Sequence, residues 1–386
     1  MKANVLIAHG GGPSPVINAS LYGAIQEAKK HEDIGSIYGA IGGVDGILNE
    51  SLIDFKEQPQ EKIALLPQTP ATAIGTSRTH LTDQDYEKIV EVCVKKNIKY
   101  VLFNGGNGSM DTCGKIYKKA AQQDIRVIGI PKTIDNDIAI TDHSPGFGSA
   151  ARYLAVSVAE AAQDVKAMPI HVSIIESMGR NTGWIAASSA LARKNGGDAP
   201  HLIYVPERAF NEKEFLEDVK RLYDRLGGVI VVASEGLKNE KGDPIVDPIL
   251  TKGRDVYFGD VSSHLAMLVI KELGIKARSE KPGILGRSSA TLQSATDREE
   301  AIRAGAFAAK AAIEGSTGYM VGFERASAPS YACETILIPI EQVMMTEAVL
   351  PDNFINERGN DVTQAFIDYC KPLIGGPLPE YAEFVK

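Results

Sequence analysis

The chain has 386 residues, 44% of them apolar and 23% charged, with 41 Lys and Arg against 49 Asp and Glu for a net charge of −8. That size buries a large core without a disulfide or metal staple and suggests two or three domains. The acidic balance argues against a nucleic-acid partner, whose phosphates need a basic footprint, and no apolar run reaches the roughly 18–20 residues of a membrane span.

Met1-Lys2-Ala3-Asn4 runs straight into a strand-like segment with no signal-peptide pattern. The scattered Cys93, Cys113, Cys333 and Cys370 form no C-x-x-C pair. They read as free thiols in a reducing compartment, so a cytoplasmic enzyme or binding protein is expected. Asn4–His9 reads as a strand that ends in Gly10-Gly11-Gly12, and helical spacing follows from about Pro15 to Lys30. Glycines there let backbone N–H groups approach an oxyanion at a helix N-terminus; a tight turn is the plainer alternative. Tyr100–Asn104 is a second strand with a glycine end, Gly105-Gly106-Asn107-Gly108-Ser109, which matches neither the P-loop nor the dinucleotide fingerprint. The strand Arg126–Ile130 leads into Pro131-Lys132-Thr133-Ile134-Asp135-Asn136-Asp137. Two acids two residues apart at a strand end suit a general-base or metal-assisted site, with Thr133 on a phosphate and Lys132 offsetting its charge.

His171–Glu176 reads as a strand running into Glu176-Ser177-Met178-Gly179-Arg180, and Thr182–Arg193 reads as one helix. Leu202–Val205 and Val229–Ala233 are strands, with Asn211 capping a helix to about Arg225 between them. Glu235 follows the last strand and suits hydroxyl recognition, and Arg278 and Arg287, in a glycine-rich stretch, suit a bidentate phosphate clamp; taken alone, each reads more plainly as a surface or salt-bridge residue. Thr296-Asp297-Arg298-Glu299 reads as a helix cap. From Leu350 the chain reads as a strap over the body, with one short helix near Thr363–Cys370. Strands alternating with helices predict parallel sheets flanked by helices, with ligands beyond the carboxyl strand ends.

Taken in order, these segments resemble the phosphofructokinase family over roughly residues 3–375. The motifs that carry the resemblance are the first glycine loop, Gly105-Gly106-x-Gly108-Ser109, Pro131-Lys132-Thr-Ile-Asp-Asn-Asp, Glu176-x-Met-Gly-Arg with Gly183-Trp184, and the late Arg287-Ser before Thr296-Asp297-Arg298. The resemblance implies an α/β fold of two Rossmann-like lobes with the active site in the cleft between them. The expected donor lobe is 1–147 with about 288–340. The expected sugar-phosphate lobe is 148–287 with about 341–386.

The resemblance also implies phosphoryl transfer to the 1-hydroxyl of fructose 6-phosphate, a glycolytic step. Asp135 is then the base, Asp137 supports it and the metal shell, Lys132 neutralises a leaving phosphate, Thr133 holds the transferring phosphoryl and Arg180 stabilises its charge. Gly11, Arg78, Gly106, Asn107, Gly108 and Ser109 line the donor site. Met178, Gly179, Arg180, Glu235, Arg278 and Arg287 hold the sugar phosphate. Mg²⁺ is the expected cofactor, held by Asn107, where the family usually has an aspartate, and by Asp135 or Asp137. His171, Ile284 and Gly286 depart from the family pattern at the acceptor. A homodimer or homotetramer is expected, and the first helix lacks the arginines of the effector-regulated members.

Two positions bear on the donor and point opposite ways. Gly108 leaves room for a nucleotide α-phosphate and presents no carboxylate to repel it. Lys132 occupies the position of a lysine in pyrophosphate users. Weighting Gly108 makes ATP the expected donor, with pyrophosphate the alternative. A non-catalytic sugar-phosphate-binding regulatory subunit is a second alternative, against which the retained Asp135, Asp137, Thr133 and Arg180 weigh.

Overall fold

The computed structural model describes residues 2–252, 255–327, 330–344 and 346–382; Met1 and 383–386, the outer ends of the expected lobes, lie outside them. The chain divides into two compact units, Met1–Ser149 with Arg287–Ala348, and Ala150–Gly286 with Val349–Lys386.

The first unit is built on a seven-stranded sheet. Its order is Cys333–Pro339, Tyr319–Arg325, Arg126–Pro131, Ile98–Gly105, Ala3–His9, Ile34–Ala40, Leu52–Asp54. The four inner pairings are parallel and the two edge pairings antiparallel. Side chains alternate across a strand, so each strand feeds two cores. Val5 and Ile7 join Leu102, Ile128 and Ile130 under the helices Ile17–Ala28 and Ala295–Ile313. Leu6 and Ala8 join Val101, Phe103 and Val127 under Ile89, Cys93, Met110 and Ile116. Near-continuous apolar runs are what a sheet covered on both faces demands. The helices Ile17–Ala28 and Ala295–Ile313 touch backbone to backbone. A methyl group on Gly23 would stand 1.9 Å from Ile302 O, and one on Gly305 would stand 1.9 Å from Ser20 O.

The second unit carries a four-stranded, wholly parallel sheet in the order Ala277–Glu280, Val172–Ser177, Val229–Ser234, Leu202–Tyr204. The helix Glu212–Leu226 is capped by Asn211, whose Oδ1 accepts from Lys213 N and Glu214 N as its spacing predicts. The C-terminal segment packs as a strap: Phe354, Phe366 and Tyr369 surround Trp184 at 5.4–6.4 Å between ring centroids.

Two local expectations are corrected. The single helix expected over Thr182–Arg193 is a short α-helix, Trp184–Ser188, followed by a 3₁₀ turn, Ser189–Ala192. Ser188 and Ser189 hydroxyls donate back to Ile185 O and Ala186 O at 2.6 Å, competing with the α-helical ladder. The cap expected at 296–299 lies two residues earlier: Ser294 is the N-cap and accepts from Asp297 N. That leaves the Asp297 carboxylate for a different use, described below. All four cysteines are free and buried, and no helix of the described residues is long and apolar enough to cross a membrane.

Candidate active site

The three sequence-predicted loops of the first unit meet at neighbouring strand ends because Ala3–His9, Ile98–Gly105 and Arg126–Pro131 are adjacent and parallel. Gly10 N donates to Asn104 O at 2.9 Å. Ser109 is buried against both glycine strand ends: methyl groups on Gly10 and Gly105 would fall 2.2 and 2.1 Å from its Oγ. Gly11 has a φ of 75°, open to glycine at no steric cost. Its N–H donates to Ser77 O at 3.1 Å, and Thr76 Oγ1 donates to Gly11 O at 2.8 Å. The Gly75–Arg78 segment is thereby docked on the glycine loop. A methyl group on Gly12 would lie 3.0 Å from Arg287 Nη1 and 3.5 Å from Arg78 Nη2.

Lys132 supplies a third cation to the same loop. It is 4% exposed, and its ammonium donates to Gly12 O at 2.5 Å. Burial pushes its pKa down to about 8; Asp135 and Asp137 oppose that fall, while Arg287 and Arg78 add to it. Gly106 caps the helix Asn107–Lys119 without a side chain, which leaves the first backbone N–H groups of that helix available to an anion. Gly108 stands in the first turn, and a methyl group there would meet nothing within 4 Å.

The acids lie just beyond. Thr133 is buried, its N–H donates to Pro145 O at 3.1 Å, and its Oγ1 accepts from Asp135 N at 3.1 Å. Asp135 and Asp137 are half-buried. Asn107 Nδ2 donates to Asp137 Oδ2 at 3.0 Å and to Asp137 O at 3.1 Å. Asn107 Oδ1 and Asp137 Oδ1 are buried without a hydrogen-bond partner. Two orphaned hard oxygens on linked side chains fit a magnesium ion that takes its remaining ligands from phosphate and water.

In the second unit, Val172–Ser177 and Val229–Ser234 bring Met178, Gly179, Arg180 and Glu235 to one strand end. Glu235 N donates to Ser177 O at 2.9 Å, and Gly179 N donates to Glu235 Oε1 at 3.3 Å. A methyl group on Gly236 would stand 1.7 Å from Arg180 O. Burial pushes the Glu235 pKa up against the pull of Arg180. Arg278 is exposed on the edge strand Ala277–Glu280, and its charge, added to burial, lowers the pKa of His171. The sequence reading groups Arg287 with the sugar phosphate; the structure sets its guanidinium on the Gly12 loop beside Arg78. Sequence reasoning missed Lys281, which lies 3.2 Å from buried Glu176 and also pairs with Asp260. A cavity of about 1140 Å³ in this unit, walled by Lys166, Arg193, His201 and Tyr381 among others, contains none of the predicted site residues.

Parallel, helix-covered sheets with anion-ready glycine loops and paired acids beyond adjoining strand ends point to the class of phosphoryl-transfer proteins. The Phosphofructokinase family model matches residues 4–312, and the chain belongs to that family. It is 40% identical over 390 residues to a pyrophosphate–fructose 6-phosphate 1-phosphotransferase of Xanthomonas campestris pv. campestris (strain B100), covering 98% of this chain and 93% of that one. It is 33% identical over 373 residues to a sulfofructose kinase of Alkalicoccus urumqiensis, covering 94% and 95%. A solved structure of a pyrophosphate-dependent phosphofructokinase from Marinobacter aquaeolei superposes with a TM-score of 0.89 at 36% identity, covering 99% of this chain and 94% of that one.

These likenesses overturn the expectation of ATP as donor and of a nucleotide site, because near-full-length relatives are named for pyrophosphate. The physical reason lies in the two reporter positions. Gly108 only leaves space, and space excludes neither donor. Lys132 is a built feature, a buried ammonium beside the glycine loop, and it is the better reporter.

Proposed function

We propose that the protein transfers a phosphoryl group from pyrophosphate to the 1-hydroxyl of fructose 6-phosphate. The observation that carries this reading is the convergence of Lys132, Arg78 and Arg287 on the Gly11–Gly12 loop. A small, dense anion needs that much cationic charge, both to bind and to leave as inorganic phosphate. Pyrophosphate has no base or ribose to contribute binding, so its affinity must come from such charge-assisted contacts.

In the step, the 1-hydroxyl oxygen bonds to one phosphorus of pyrophosphate, the bridging P–O bond breaks, and the hydroxyl proton passes to Asp135. Thr133 holds the transferring group and Arg180 offsets the charge that develops on it; positioning and electrostatics do most of the work in such transfers. Lys132 meets the departing phosphate. Asp137 and Asn107 are the residues that would hold magnesium, which supplies charge neutralisation to the donor oxygens. Met178, Gly179, Glu235 and Arg278 bind the sugar phosphate. Arg278 stands on the edge strand of its sheet, where a second copy of the chain would complete its surroundings; light scattering should return a dimer or larger.

The test is kcat/KM for pyrophosphate and for ATP with fructose 6-phosphate and Mg²⁺, with sulfofructose as competing acceptor. Pyrophosphate should exceed ATP by at least a hundredfold. A preference for ATP overturns the donor, and a preference for the sulfonate overturns the acceptor.

A further inference from the structure

The loop that carries both acids is backbone-strained and is held from the far side by a buried charge network. Asn136, between Asp135 and Asp137, has a φ of 54°, and Ile140 has a φ of 72°. A β-branched residue in that region is a genuine outlier that neighbouring structure must impose. Asn136 Oδ1 accepts from Ser144 N at 2.9 Å. Thr141 Oγ1 donates to His143 O at 2.9 Å, Phe323 N donates to Thr141 Oγ1 at 2.8 Å, and Asp142 N donates to Phe323 O at 2.9 Å.

At the centre sits His143, buried and stacked on Phe323 with ring centroids 5.0 Å apart. Nδ1 lies 2.9 Å from Asp142 Oδ1 and Nε2 lies 2.7 Å from Glu300 Oε2. Ionised carboxylates only accept, so both ring nitrogens donate and the ring is an imidazolium. Burial alone would drive the proton off, but the two carboxylates outweigh it and hold the pKa up at about 9. The other groups facing this site are Arg303 and Tyr331 on Glu300, Arg325 on Asp142, and the Cys333 thiol, pushed up to about 12. His143, Glu300 and Cys333 bring ligand atoms within 4.8 Å of one another. Both ring nitrogens are already engaged and two arginines stand nearby, so the cluster suits a proton and not a metal. One turn before Glu300, Asp297 accepts from Gly146 N, Ser149 N and Ser149 Oγ at 2.5–2.9 Å. The helix Ala295–Ile313 thus grips the same loop twice.

We propose that His143, held between Asp142 and Glu300, is the positioning residue that sets Asp135 and Asp137 for phosphoryl transfer, acting through Ser144 and Asn136. The inference rests on Asp135 being the base. Releasing the clamp lets the strained loop relax and displaces the acids, and a displacement of about 1 Å costs on the order of 10²-fold.

The experiment combines variant kinetics with ¹⁵N-histidine NMR of the full chain. Among the seven histidines, one ring should keep both N–H groups at pH 8 and titrate near 9. His143→Gln should lower kcat roughly 10–100-fold with both KM values within about threefold. In Glu300→Gln the imidazole titration and the alkaline fall of kcat should move together to lower pH; the limb of kcat/KM that belongs to Lys132 should stay. If His143→Gln fails to fold, Glu300→Gln and the wild-type titration decide. A folded His143→Gln with unchanged kcat, a neutral ring at pH 8, or a titration that moves without kcat overturns the proposal. Asp135→Ser separates the two readings. If it is active, the base assignment fails; if it is dead while His143→Gln is fully active, only the positioning role fails.

Discussion

Replacing Lys132 by Met removes a buried charge while keeping a comparable volume, and the structure sets opposite signs for function and stability. The ammonium is 4% exposed and bonded to Gly12 O. At roughly 4 Å and an effective dielectric near 20, one ammonium–phosphate pair is worth about 4 kcal/mol. That corresponds to about a thousandfold in kcat/KM for pyrophosphate. Stability should move the other way. The pKa falls from 10.5 to about 8 on folding, so the charged form is disfavoured in the native state by roughly 3 kcal/mol. That penalty is fully present below pH 8 and fades as pH rises towards 10.5, because the unfolded chain then loses its proton too. Lys132→Met should therefore be more stable than wild type at pH 7, with the gap closing above pH 10. In wild type, kcat/KM for pyrophosphate should fall as pH rises through about 8, since it reports the free enzyme. Lys132→Arg should carry activity to higher pH. The assays are initial rates with both donors and denaturant melts across pH. A loss below threefold with pyrophosphate refutes the reasoning, as does an equal loss with both donors.

Asp135→Ser should lower kcat by more than the ~10²–10⁴-fold usual for a general base, with sugar-phosphate binding by calorimetry little changed; near-wild-type turnover would remove the assignment. Gly108→Asp should keep most pyrophosphate activity, because a Cβ there meets nothing within 4 Å, and should abolish any residual ATP turnover; steady-state rates with each donor decide it. Gly23→Ala should destabilise by about 1–3 kcal/mol, the usual cost of overpacking, because its Cβ would meet the Ile302 carbonyl at 1.9 Å. An unchanged thermal midpoint would mean that the two helices separate at little cost.

Much of this protein was legible in its sequence because the informative features are local. Glycines at strand ends, acids two residues apart and apolar runs of strand length report on a few consecutive residues, and a parallel sheet sets such strand ends side by side. The placement of Asp135, Asp137, Thr133 and Lys132 beside Gly11 and Gly106 follows from that alone. The donor was misread because Gly108 records an absence of side chain, whereas the meaning of Lys132 depends on its burial, which a sequence does not print. Other features exist only in the folded chain. Arg287 reaches the Gly12 loop from the start of the first unit's second chain segment. Asp297, read as part of a helix cap, gives its carboxylate to Gly146 and Ser149 instead. Glu300 meets His143 across 157 residues. A buried ionisable group takes its charge state from whatever groups the chain returns to it, so only tertiary structure decided which residues hold the segment after Asp135 in place.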